Sequence, residues 1–436
     1  MLEIIYKRPD SLLIALLFFT LLSYNCRASD KSDEIQKYND SIYNENIKTV
    51  QLYRKGWEMS YPIIELNSND KLELSFDELG DKQKNYSYSL LHCDAEWEPS
   101  DISEAEYMEG FNSIPINDFA YSFNTTYSYI HYSVAFPDED TKLLLSGNYI
   151  IKVYESSDPD KVILTKRFFV TEQKVDIRAT VKPAVDYKIP EGGQEIEFKI
   201  QNGSFPVMDP ARQLKIFIIQ NENWHKIIKA SRPLFIKPGE LDYSYDGKFV
   251  FGGGNEFRQF DIANLKYQTE NVALIDFRKP YYHVILKEDK PLIYKPYFYH
   301  KDLNGKYFIT KEGARNKDVE ADYVYVRFRL LVDEPYTGYQ VYVFGGLTNW
   351  NISEDFEMKY NPTDKLYELE TLLKQGSYNY TYALENTDGT IDTYTFEGDH
   401  EETENNYRFF VYYTDMNDRY DRLICTKAVN SLLQEK

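Results

Sequence analysis

Cysteine is nearly absent: Cys26, Cys93 and Cys425 are the three in 436 residues, and no two lie close together. That spacing excludes a disulfide framework and a Cys-based zinc site, which both need closely spaced cysteines. Two buried free thiols are expected at Cys93 and Cys425. Histidine is also scarce. Its six residues form no His-x-x-x-His or His-Glu-x-x-His pair, so no His-based metal set is predicted. No Gly-x-Ser-x-Gly elbow occurs, and no Ser or Cys has a base nearby in sequence, so a local nucleophilic site is absent. Tryptophan is limited to Trp57, Trp97, Trp224 and Trp350, few for a row of sugar platforms. Positive charge is in deficit as well, with 70 acidic residues against 50 Lys and Arg and a net charge of -20. Such a chain is repelled by phosphate backbones and anionic head groups, which makes nucleic acid a poor partner.

Long apolar runs are missing beyond residue 22, so no membrane-spanning helix is predicted. The run Leu12 to Leu22 covers eleven residues, short of the roughly 20 that a bilayer needs. With Lys7 and Arg8 before it and Arg27-Ala28-Ser29 after it, the run reads as a signal peptide over 1–28. A lipoprotein reading through Cys26 competes, although Tyr24 and Asn25 occupy positions where lipid attachment wants small residues. The expectation is an exported, soluble, periplasmic protein that does not insert into the membrane, with a flexible polar leader over 29–46.

What the chain has in abundance is tyrosine and phenylalanine, 40 and 26 residues. Large aromatics suit pleated, half-buried surfaces and protein contact surfaces. Period-two alternation is the dominant pattern. It is clear in Lys71-Leu72-Glu73-Leu74-Ser75-Phe76, in Glu195 to Ile200, and in Val324, Val326, Phe328, Leu330 and Val332. Asp158-Pro159, Glu191-Gly192-Gly193, Pro238-Gly239, Asn304-Gly305 and Asp388-Gly389 punctuate these runs as turns. No segment holds a 3.6-residue period for more than about two turns. The fold class predicted is all-β: tandem β-sandwich domains, immunoglobulin-like or early-set, with few short helices. An echo between Gly147-Asn148-Tyr149-Ile150-Ile151 and Gly376-Ser377-Tyr378-Asn379-Tyr380 places sandwiches towards both ends. The boundaries expected are 47–174, 175–320 and 321–427, with a tail over 428–436. The best helix is Ser103 to Glu109, with a Ser103–Glu106 capping box and a stop at Gly110.

Candidate chemistry is thin. The acids Asp94, Glu96, Glu98, Asp101, Glu104, Glu106 and Glu109 lack Asp-x-Asp-x-Asp-Gly spacing and read better as a solvated or partner-facing loop than as a calcium site. Within it Glu104, Tyr107, Glu109 and Phe111 are candidate partner contacts, because they mix aromatics with charge on a long loop. Gly252-Gly253-Gly254 lacks the Lys-Ser/Thr of a phosphate loop and reads as a strand-end turn needing positive φ. The segment Val341 to Trp350, with Gly376 to Tyr380, resembles the early-set sandwiches beside starch- and glycogen-active enzymes. There sugar stacks on two Trp residues beside a Lys. Here Trp350 matches the first Trp, Thr381 stands at the Lys position, and Gly389-Thr390-Ile391-Asp392 offers no second Trp. Trp350 is therefore expected to be vestigial. No catalytic residue, metal, cofactor or small-molecule substrate is predicted.

Eight collinear segments resemble one family, the plug protein of the bacterial type IX secretion system. They include Asn46 to Leu52, Pro62 to Leu66, Tyr107-Met108-Glu109-Gly110-Phe111-Asn112 and Gly253 to Asp261. They continue through Glu320 to Val324, Leu347 to Trp350, Glu402 to Tyr407 and Arg419 to Ile424, so the resemblance spans about 40–427. It implies a non-enzymatic periplasmic protein, from a member of the Bacteroidota, that binds and seals the inner opening of a large outer-membrane β-barrel translocon. It carries over no catalytic residues. Two rival readings remain: a glycan-binding protein built from the same sandwiches, and a glycoside hydrolase using two of the many acids.

Overall fold

The computed structural model describes residues 38–184, 192–244, 247–415 and 418–433. The predicted signal peptide, Cys26 and the start of the leader lie outside the described residues. The chain is all-β, and its four α-helices among the described residues are each one turn long: Glu104–Tyr107, Pro210–Gln213, Lys317–Glu320 and Tyr394–Glu397.

Alternation explains the strands. Tyr323–Leu331 buries Val324, Val326, Phe328 and Leu330 completely and turns Arg327 and Arg329 outward. Each such side chain contributes about 1.5–3 kcal/mol on leaving water, which pins both the face and the register of the strand. The echoed segments begin two long inner strands, Gly147–Glu155 and Gly376–Glu385, each paired on both sides.

Three sandwich-like units follow. In the first, a sheet built on Tyr86–Cys93, Gly147–Glu155 and Asp158–Thr171 faces a four-stranded sheet containing Ile47–Arg54, Leu72–Leu79 and Tyr129–Phe136. Phe76 and Tyr132 stack between them, with Tyr86 edge-on to both. The second faces Asp176–Pro183 and Gly193–Gln201 against Leu214–Gln220 and Asn223–Ala230. The third is a ten-stranded sheet curled around Val324, Val326, Phe328, Tyr380 and Tyr382.

The connectivity departs from the expected boundaries. Asn406–Tyr413 pairs with Leu214–Gln220, and Arg422–Asn430 pairs with Asn406–Tyr413, so the last two strands complete the second sandwich. Conversely Arg258–Asp261, Val272–Arg278, Tyr281–Leu286 and Tyr307–Ile309 belong to the third. The third unit is thus inserted into the second, and the division 175–320 and 321–427 is corrected accordingly. The reason is pairing at a distance: Phe409 and Val411 alternate like any core strand, and nothing local says which core they fill. Two smaller corrections follow. Residues 38–46 of the leader are ordered where Ser41–Ile42 pairs with Asp158–Thr171, locked by Asp40 on Lys166 at 2.5 Å and on the Arg167 amide at 2.7 Å. The last strand also runs past 427 to Asn430.

Candidate partner surface

The loop after Tyr86–Cys93 is organised by its own side chains. Asp94 Oδ1 accepts the amides of Glu96 and Glu98 at 2.8 and 3.0 Å, closing a turn that sends Trp97 back into the protein. Ser103 and Glu106 form the expected capping box, with the Ser103 amide donating to Glu106 Oε2 at 2.7 Å. The helix is shorter than predicted. It ends at Tyr107 because Met108–Gly110 pairs as a strand with Thr141–Leu143. Gly110 has φ +111°, and a Cβ there would lie 1.9 Å from the Asp140 carbonyl oxygen, so this strand pair admits no other residue without moving.

The four candidate contacts divide. Tyr107 is 5% exposed, donates its hydroxyl to the Leu90 carbonyl at 3.1 Å and packs beside His92 and Tyr149. Burial pushes its phenol up to about 12. Tyr107 is therefore a core residue, and its expected role as a partner contact is withdrawn. Phe111 is 75% exposed, and Glu104 and Glu109 are exposed beside it. Glu104 is held by the Asn112 amide at 2.8 Å, and Asn112 also brackets the backbone of Leu90. The sequence pattern could not separate Tyr107 from Phe111, since both flank the same acids.

The remaining candidates are structural. Trp350 stands edge-on to Phe344 and Phe257 at 5.5 and 5.9 Å. Thr381 is buried and donates to Glu397 at 3.2 Å, so the position of the sugar-binding Lys is sealed inside. At the glycine run, Gly254 has φ +69°, and a Cβ on Gly253 would strike the His400 carbonyl oxygen. The run is a close backbone crossing. Cys93 and Cys425 are both buried and free.

The most deeply buried ion pair among the described residues lies between units. Asp77 of the first sandwich meets Lys374 of the third at 2.6 Å, with both side chains 1% exposed. Tyr323 donates to the same Asp77 oxygen at 2.7 Å, and His131 Nδ1 meets the other at 2.7 Å. Burial pushes the Asp77 carboxyl up, but Lys374 and His131 overcome it and hold it below the usual range. Burial lowers the Lys374 ammonium more than Asp77 restores it. The Lys374 ammonium lies over the rings of Tyr129 and Tyr323, at 4.2 and 5.8 Å, an arrangement that joins two bodies. Among the described residues, no three His, Cys, Asp or Glu side chains are grouped to hold a metal. No helix among them is long and apolar enough to cross a membrane.

Sequence reasoning missed three exposed apolar sets. Phe119 and Tyr121 lie on the edge strand Asp118–Tyr121, and Phe235 and Ile236 on the edge strand Phe235–Lys237. Tyr294, Phe298 and Tyr299 project from the long connection before Tyr307–Ile309. Alternation marks a strand but not an edge, so the first two had no signal. The third had one: twelve residues from Lys290 to Lys301 without an acid.

Residues 47–172 match the family described as Type 9 secretion system plug protein 1st domain. The crystal structure of a hypothetical protein from Parabacteroides merdae ATCC 43184 is similar, with a TM-score of 0.87 and 37% identity. The match covers 90% of this chain and 99% of that one. No curated protein matches the chain.

Proposed function

Since the chain belongs to the type 9 secretion system plug protein family, we propose that it is a non-catalytic periplasmic plug that binds and seals the inner opening of the outer-membrane barrel translocon. One observation supports this reading above the others: all three sandwiches are fastened to one another. Phe169 of the first meets Phe410 of the second at 4.6 Å between ring centres, and Asp77 of the first meets Lys374 of the third. Lys306 of the third reaches Glu222 of the second at 2.7 Å and the Met59 carbonyl of the first at 3.0 Å. A stopper has to resist deformation and present one broad surface; hinged domains with a cleft would suit an enzyme better. Phe111, Glu104 and Glu109 are retained as contacts on that surface.

Affinity capture of the tagged protein from detergent-solubilised envelopes tests the proposal. A very large outer-membrane barrel protein is expected as the main partner, and deletion of the protein should make cells permeable to large hydrophilic antibiotics. Capture of no barrel together with saturable glycan binding would overturn it in favour of the glycan-binding reading.

A further inference from the structure

The acidic total conceals one region of opposite sign. Between Lys290 and Lys301 the sequence Lys-Pro-Leu-Ile-Tyr-Lys-Pro-Tyr-Phe-Tyr-His-Lys holds three lysines and no acid. The segment belongs to the connection over 287–306, longer than the roughly 12–15 residues beyond which loops are usually functional. The two acids at its start are already committed, Glu288 to Arg329 and Asp289 to Arg258. Lys290, Lys295 and Lys301 are exposed, and among the described residues none of them meets a carboxylate.

The loop is held from beneath. Leu292 donates its amide to the Phe396 carbonyl at 2.6 Å, Tyr297 its hydroxyl to buried Glu256 at 2.5 Å, and His300 Nε2 lies 3.0 Å from the Phe257 carbonyl. With its base pinned, the loop holds Tyr294 at 93% exposed and Phe298 at 78%, with Tyr299 beside them. Holding large aromatics in water is unfavourable unless something covers them.

The geometry points to an anionic bilayer leaflet as what covers them: the loop rests Tyr294, Phe298 and Tyr299 in the head-group layer while Lys290, Lys295 and Lys301 meet lipid phosphates. Tyrosine with lysine is the composition of membrane interfaces, whereas lysine is depleted from protein–protein interfaces. The net charge of -20 does not forbid this contact: of the acids beside the loop Glu256 and Asp302 are buried, which leaves Glu402 exposed near Tyr297, and acids farther off are screened beyond about 8–10 Å. Their repulsion instead orients the molecule with this loop towards the lipid. The inference goes beyond the plug reading and does not require it, since a protein of either function would show it.

Co-sedimentation of the full mature protein with vesicles is the test. Binding is expected to phosphatidylethanolamine–phosphatidylglycerol vesicles, weakening as salt rises, and much less to phosphatidylcholine vesicles. Replacing Lys290, Lys295 and Lys301 with Gln together should lower the affinity about a hundredfold at low salt, each lysine contributing roughly fivefold. Tyr294→Ser with Phe298→Ser should lower it about tenfold and leave the melting temperature unchanged, since both side chains are exposed. Failure to bind either vesicle overturns the inference, as does equal binding to both or binding that survives both loop variants. Loss of barrel capture by the loop variants, with no vesicle binding by the wild type, overturns it in favour of a protein surface and leaves the plug reading standing.

Discussion

The seam between the first and second sandwiches and the seam between the first and third solve one problem with opposite chemistry. The first–second seam is centred on an apolar cluster, in which Trp97, Ile150 and Phe169 pack against Phe217, Phe410 and Leu423, with Tyr412–Asn148 and Arg422–Glu172 beside it. Half-buried Arg167 lies 4.2 Å over the Trp97 ring there and donates to the Tyr38 carbonyl. The first–third seam is built on Asp77, Lys374, His131, Tyr323, Thr49 and Tyr129, every one polar. Apolar area adds up with little regard to geometry, whereas a buried ion pair offsets its desolvation only when every partner is in place. The apolar seam should therefore degrade gradually and the ionic seam abruptly.

The largest effect is expected at the ionic seam. Lys374→Met strands a buried carboxylate, and guanidinium unfolding should show a loss of about 3–5 kcal/mol. Adding Asp77→Leu should restore most of that loss, because the cost lies in the unpaired charge. In the apolar seam Phe410→Ala should cost about 3–5 kcal/mol, and adding Phe169→Ala should make matters worse. If the two double variants behave alike, the contrast between the seams is lost.

Acid should separate the seams in a second way. His92 lies at the margin of the apolar seam, edge-on to Tyr420 across it, with Nε2 donating to the Ser146 carbonyl and Nδ1 accepting from Ser100. Burial lowers its imidazole from 6.5 to about 4. Between those values the unfolded chain binds the proton and the folded one does not, so stability falls as pH drops, by about 3 kcal/mol in all. Asp77 also has a depressed folded value, so its contribution is present above the ordinary aspartate value of 3.8 and is lost as pH falls below it. Unfolding curves from pH 7 to 3 should show the two losses in that order. His92→Gln should flatten the first and leave the second.

The smallest effects concern the loop outside both seams. Tyr107→Phe should cost about 1 kcal/mol through its bond to Leu90, and Phe111→Ala less than about 0.5 kcal/mol. In barrel capture the order should reverse, with Phe111→Ala weakening it and Tyr107→Phe leaving it intact. A capture defect in Tyr107→Phe without one in Phe111→Ala would remove this loop from the contact surface.

The class of fold was legible because its signals are local. Val324 to Leu330 alternate on their own, Ser103 and Glu106 cap their own turn, and the glycines at 253 and 254 carry backbone needs that no other residue meets. Family membership was legible for a related reason, since collinear motifs survive without knowledge of what they touch. At the candidate surface burial was not legible: Tyr107 and Phe111 both lie two residues from Glu109, yet one is buried and the other exposed.

Composition and periodicity by themselves determined an all-β chain, its strand faces and the scarcity of chemistry. Tertiary structure alone decided that Asn406–Tyr413 returns across the inserted third unit to the strand Leu214–Gln220, almost 200 residues earlier in sequence. It also decided that Asp77 would find Lys374, and that Lys290, Lys295 and Lys301 would stand exposed. The physical reason is the range of the forces. Alternation and capping act between residues a few positions apart, whereas the pairing of edges, the burial of charge and the covering of apolar faces depend on which surfaces meet once the chain has closed.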